Sequence, residues 1–175
     1  MSGAGFDRAA IVRALEAVGR RLDAQGLVGD VYVLGGSALA LAYDRARVTR
    51  DVDAVFEPKQ VVYEAARRVG EEQGLPPGWL NDGVKGFLPG PDPYQGTAFE
   101  VPGLRVQTAS AEMLLALKVL AHRVGEDDDD LRLLAERLEL TTPAAVLDLA
   151  ESILGPRRLT ASARFFVEAV LEPEP

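Results

Sequence analysis

The sequence predicts an α/β (α+β) chain: a mixed β-sheet flanked by helices, with a helical C-terminal half. Three observations carry that expectation. Apolar residues recur at helical spacing near the N-terminus and again through the last third of the chain. Two short apolar runs, at 31–34 and 52–56, are rich in valine and too brief to be helices. Between these regions, Gly and Pro clusters break the chain into short pieces.

The elements follow in order. Residues 6–24 place Ile11, Leu15, Val18 and Leu22 on one helical face, with Asp7 as N-cap and Gly26 as stop, so an amphipathic helix covers one face of a sheet. A buried strand at 31–34, a short helix at 37–43 and a second strand at 52–56 come next. Residues 59–73 carry Val61, Val62, Ala65 and Val69, and this helix ends near Gly74 and the break at Pro76-Pro77-Gly78. From Trp79 to Val106 the pattern changes to β-like pieces at 84–88, 98–101 and 104–107, around an exposed loop with Pro89, Pro91 and Pro93. Helices are predicted at 110–124, 128–138, 143–154 (Thr142 as cap, Pro143 at the first position) and 160–171. The 175 residues fit a single domain, with a sheet core over about 1–107 and a helical part over about 108–175.

Composition narrows the chemistry. Without cysteine there are no disulfides, thiolate nucleophiles or Cys-ligated zinc, and the single His122 excludes a multi-histidine metal site. Oxygen ligands and a hard metal remain. No leader-like segment and no bilayer-spanning apolar run is apparent, so a soluble cytoplasmic protein with no membrane partner is expected. A formal net charge of −8 argues against broad sequence-independent nucleic-acid binding. A local basic groove is still open to arginines such as Arg45, Arg47 and Arg50, which otherwise serve as surface residues.

The most informative stretch is the first strand, the Gly35-Gly36-Ser37 turn and the second strand, whose opening residues carry Asp51 and Asp53. Alternate strand residues share a face, so the two carboxylates project together while Val52 and Ala54 face away. Paired carboxylates repel unless a cation lies between them, and a divalent metal is the natural partner. Gly35 and Gly36 allow close approach of backbone to a ligand, and the N–H groups opening the helix at Ser37 can cradle a phosphate. Ser37 is equally suited to be a plain N-cap. A phosphate-and-metal site of this kind points to phosphoryl or nucleotidyl transfer.

Lysine is rare, occurring only at 59, 85 and 118, and Lys118 sits in a helix apolar nearly all round. An unpaired ammonium there costs several kcal/mol, so it needs a carboxylate partner or a ligand anion, unless it snorkels from the helix edge. The acidic run Asp127–Asp130 opens the next helix, where the dipole favours it. Asp127 and Asp130, three apart, share a face and are the pair expected to turn inward, leaving Asp128 and Asp129 solvated. Trp79 is read as core in preference to a base-stacking wall, and His122 as a surface or interface histidine.

The glycine-serine turn followed by Asp-hydrophobic-Asp resembles the nucleotidyltransferase superfamily signature. The longer constellation of the Arg47-to-Asp53 run, Lys118 in an apolar helix and the Arg123…Asp127-x-x-Asp130-Leu ending is similar to AbiEii-type nucleotidyltransferase-like proteins, which include toxins of toxin-antitoxin systems. The resemblance covers roughly residues 28–140. It implies that Gly35, Gly36, Ser37 and Arg47 contact the nucleotide, that Asp51 and Asp53 hold Mg²⁺ or Mn²⁺, that Lys118 binds the triphosphate, and that Asp127 or Asp130 adds an acidic function. It further implies an NTP substrate, an RNA acceptor such as the 3′ end of tRNA, and a cognate antitoxin. Two other readings stay open: nucleotidylation of a protein, which the acidic composition suits, and a catalytically silent nucleotide-binding module. The chain departs from many members of the superfamily in a third carboxylate on a later strand, for which only Glu100 is available.

Overall fold

The computed structural model describes residues 5–43 and 46–172, and Arg45 lies outside them. The chain groups into two compact units, one built from residues up to 86 together with 95–109, the other from 87–94 together with the residues from 110 on.

The first unit is a five-stranded mixed sheet with helices, as the sequence predicts. Its strands are β1 (Gly29–Val33), β2 (Val52–Glu57), β3 (Leu80–Asn81), β4 (Gly96–Val101) and β5 (Leu104–Thr108), in the spatial order β3-β2-β1-β5-β4. β1 runs antiparallel to β2 and parallel to β5, β3 runs parallel to β2, and β4 and β5 form an antiparallel pair. Alternation decides the faces. Val31 and Val33 of β1, Ala54 and Phe56 of β2, and Leu104 and Val106 of β5 are buried together on one face. Tyr32, Val55 and Gln107, one row across the other face, are half-buried.

Helix α1 (Arg8–Asp23) lays Ile11, Leu15, Val18 and Leu22 against β5 and α3 (Lys59–Gln73). Asp7 caps α1 by accepting from Ala10 N–H at 2.7 Å. Helix α3 buries Val62, Ala65, Ala66 and Val69, and stops where Gly74 turns left-handed at φ 67°. Trp79 is core: it is buried, its indole N–H donates to the Ala66 carbonyl at 2.9 Å, and it stacks on Phe6.

Two readings of this unit are corrected. Residues 83–87 form a 3₁₀ turn instead of a strand, and the strand beside β2 is the two-residue β3 that precedes it. Two Gly residues, 83 and 86, within five positions leave too little side-chain packing for a stable strand there. The short helix α2 (Gly35–Ala38) begins two residues before Ser37 and continues as a π-turn, Leu39–Tyr43, so Leu34 occupies the N-cap position and Ser37 lies inside the helix.

The second unit is helical: α4 (Ala111–Leu120), α5 (Asp128–Arg137), α6 (Pro143–Leu154) and α7 (Ala161–Leu171). Helix α4 packs against all three others, which is why it is apolar nearly all round. Ser110, Thr142 and Thr160 cap α4, α6 and α7 by accepting from the N–H three residues on, with Pro143 opening α6. In α7, Phe166 is buried and stacks on His122, while its neighbour Phe165 is exposed. No helix among the described residues is long and apolar enough to cross a membrane.

Candidate functional site

The site of interest in the first unit forms where the C-terminal end of β1 meets the entry to β2. The ladder continues one step past β1, since Leu34 N–H donates to the Asp53 carbonyl at 2.8 Å, and this brings the Gly35-Gly36 turn beside Asp53. Gly35 adopts φ 59°, which side-chain-bearing residues rarely take, and a Cβ at this position would lie 3.1 Å from Asp53 Oδ2. Gly36 is also close-packed: its Cβ position lies 3.1 Å from Thr49 Oγ1 and 3.8 Å from Arg47 Nε. The two glycines thus press the turn against the segment carrying Arg47, Thr49 and the aspartates. That segment is anchored by Thr49, which exchanges backbone hydrogen bonds with Phe6 (2.6 and 2.9 Å) and donates its hydroxyl to the Asp51 carbonyl at 3.2 Å.

Asp51 immediately precedes β2 and Asp53 is its second residue, both half-buried. Their shared placement is fixed through Asn81. This residue is the register partner of Asp53 in the parallel β2–β3 pair, and its Nδ2 donates to Asp51 Oδ2 at 3.3 Å. Ser37 is buried, and its hydroxyl donates to the Leu34 carbonyl at 2.9 Å, one turn back in its own segment. That internal bond is what a serine inside a helix makes when it does not cap.

The two aspartates offer hard oxygen donors, the chemistry of Mg²⁺ or Mn²⁺ sites. Gly35, having no Cβ, lets the turn close on the Asp53 carboxylate, whose Oδ2 would lie 3.1 Å from a Cβ there. Asp51 and Asp53 therefore fit a hard divalent cation. Among the described residues no third His, Cys, Asp or Glu joins them. Glu100 lies in the row of Asp30, Glu57 and Arg105, four residues along the strand direction from Asp53, or about 13 Å. It stands beside Arg105, whose guanidinium is paired with Asp30 at 2.6 Å and held above its usual range by that hydrogen bond. On the open face the β5 residue nearest the aspartate end is Gln107, whose amide oxygen accepts from Gln95 at 3.2 Å.

In the second unit Lys118 meets two carboxylates. Its ammonium lies 2.5 Å from Asp127 Oδ1 and 2.7 Å from Asp130 Oδ2, with both aspartates buried and Lys118 nearly so. Asp127 accepts further from the Arg123 backbone N–H at 2.8 Å and from its guanidinium at 3.3 Å. Burial pushes the Asp127 carboxyl up, but the hydrogen bond and charge of Lys118, with Arg123 in support, outweigh it and hold the group below the ordinary carboxylate range. Asp127 makes no side-chain cap to α5; its carboxylate is used on Lys118 and Arg123 instead. Asp129 is solvent-facing and pairs with Arg132, and Asp128 accepts from Gly125 N–H at 2.9 Å. Asp127 and Asp130 turn inward and Asp129 outward as helical spacing predicts, while Asp128, expected to be solvated, is half-buried beside Gly125.

Sequence reasoning missed Asn81 and Thr49. Thr49 lies inside the Arg47-to-Asp53 run but is assigned no role there, and Asn81 reaches Asp51 only because a two-residue strand pairs beside β2, a contact with no periodic signal. Comparison with protein-family models, with curated proteins and with solved structures finds no match to this chain.

Proposed function

We propose that the chain is a nucleotidyltransferase that moves a nucleoside monophosphate from an NTP to an RNA acceptor, such as the 3′ end of tRNA. The observation that carries this reading is the juxtaposition of Asp53 with the Gly35-Gly36 turn, where Asp53 Oδ2 lies 3.1 Å from the Cβ position of Gly35. A carboxylate pair beside a close-packed glycine turn is an arrangement that serves an anionic, metal-bearing substrate.

Asp51 and Asp53 would hold the cation and, through it, orient the NTP. A divalent ion bound there supplies charge neutralisation at the α-phosphoryl group and a lowered pKa for the attacking hydroxyl. The glycines allow the triphosphate to approach the backbone, and Arg47, packed beside Gly36, contributes positive charge there. Ser37 acts indirectly, holding the turn through its bond to Leu34. The RNA acceptor draws support from arginines of this end of the sheet. Arg8 donates to the Leu41 carbonyl behind the glycine turn at 3.3 Å, Arg47 sits against Gly36, and Arg50 is exposed next to Asp51. A toxin role with a cognate antitoxin belongs to the same reading and rests on the AbiEii-type resemblance.

A second reading, a nucleotide-binding module without turnover, is favoured by one observation: Gln107, a neutral amide, stands on the open face where a general base would be useful. The test is incubation of the protein with each α-³²P-labelled NTP and Mg²⁺, with total RNA and cell extract as acceptors. Label in tRNA that is lost in Asp53→Asn supports the transferase. Label in a protein moves the acceptor class, and NTP binding without transfer favours the silent module.

A further inference from the structure

Both halves of the Asn81 side-chain amide have a hydrogen-bond partner, and together the two fix its orientation. Its Oδ1 accepts from the Gly83 backbone N–H at 3.1 Å, and its Nδ2 faces Asp51 Oδ2 at 3.3 Å. One partner is only a donor and the other, as a carboxylate, only an acceptor, so exchanging the amide O and N would put like against like on both sides. The β3 backbone at Asn81 is also in register with Asp53. A single half-buried amide thus ties the carboxylate at the entry of β2 to the strand position opposite the second carboxylate.

We infer that Asn81 is a positioning residue for a divalent-cation site at Asp51 and Asp53, holding the Asp51 carboxylate by a neutral donor where a third carboxylate would repel it. This inference rests on the proposed function, since it assumes that the two aspartates bind a metal. The amide sets the orientation of Asp51 without adding charge, so the pair keeps a moderate cation affinity. The turn at Gly83 is what aims it: the backbone N–H holds the carbonyl half and leaves the NH₂ half pointing at Asp51.

The test measures Mn²⁺ affinity of the full chain by electron paramagnetic resonance, with urea unfolding run alongside, for wild type, Asp53→Asn, Asn81→Leu and Asn81→Asp. Asn81→Leu removes the donor and should weaken Mn²⁺ binding about 10–100-fold, the usual cost of losing a partner that orients a metal ligand. Asn81→Asp keeps the shape and the Gly83 bond but loses the donor and faces Asp51 with a repelling charge, so it should weaken Mn²⁺ binding as Asn81→Leu does, whereas a position that served only as one more acidic ligand would tighten it. A residue that only caps the Gly83 turn would change unfolding and leave Mn²⁺ affinity unmoved. Wild-type affinity in either variant, or tightening in Asn81→Asp, overturns the inference alone; if Asn81→Leu does not fold, Asn81→Asp decides. Wild-type protein that binds no Mn²⁺, or binds it no better than Asp53→Asn, overturns the metal site of the proposed function and the inference with it.

Discussion

Lys118 is accommodated within an apolar helix because Asp127 and Asp130 approach it within 2.7 Å, and Arg123 pairs with Asp127 as well. Breaking such a buried set by removing one member leaves an uncompensated charge, so Lys118→Met and Asp127→Asn should each destabilise the chain by about 3–5 kcal/mol in urea unfolding. A lysine serving only a ligand would cost little stability, so near-wild-type unfolding of Lys118→Met would point to a ligand role in place of a structural one. The pH dependence follows from the same group. Asp127 is held below its unfolded value, so its contribution is complete above about pH 4 and is lost as pH falls through the lower folded value. Wild-type stability should therefore fall on the acid side of about pH 4, and the fall should be shallower in Asp127→Asn.

At the scale of elements, the glycine turn and the helix caps give two further tests. Gly35 combines φ 59° with a carboxylate that would lie 3.1 Å from a Cβ, so Gly35→Ala should cost about 1–2 kcal/mol in urea unfolding. Thr142 accepts from Ala145 N–H at 3.2 Å, and Thr142→Ala should lower stability by about 1 kcal/mol without changing NTP transfer. The caps at Asp7 and Thr142 were readable because each pairs a capping residue type with the start of an apolar helical period. Ser37 has the right residue type too, yet its helix starts two residues earlier, because Leu34 remains bonded to Asp53 in the sheet and the turn follows directly. The β-like reading of 84–88 failed for a related reason. A few apolar residues among glycines carry no period, and pairing decided that the strand is Leu80–Asn81.

Across the whole molecule, composition and periodicity determined the α/β class, the helical C-terminal half and the exclusion of cysteine and multi-histidine chemistry, and spacing singled out Asp51, Asp53 and the Gly35-Gly36 turn. These are local properties: residue type, period and spacing set them before any long-range contact forms. The acidic run divided as helical spacing requires, with Asp127 and Asp130 inside and Asp129 outside. Tertiary structure alone decided the strand order β3-β2-β1-β5-β4, the placement of Glu100 far along the sheet from Asp53, the closure of Lys118 by two carboxylates, and the bond from Asn81 to Asp51. The strand order, the place of Glu100 and the Asn81 bond depend on segments that pair across tens of residues, and the Lys118 cluster on two neighbouring helices packing together; such packing is selected by the burial of whole faces, a sum over many side chains that no single motif contains.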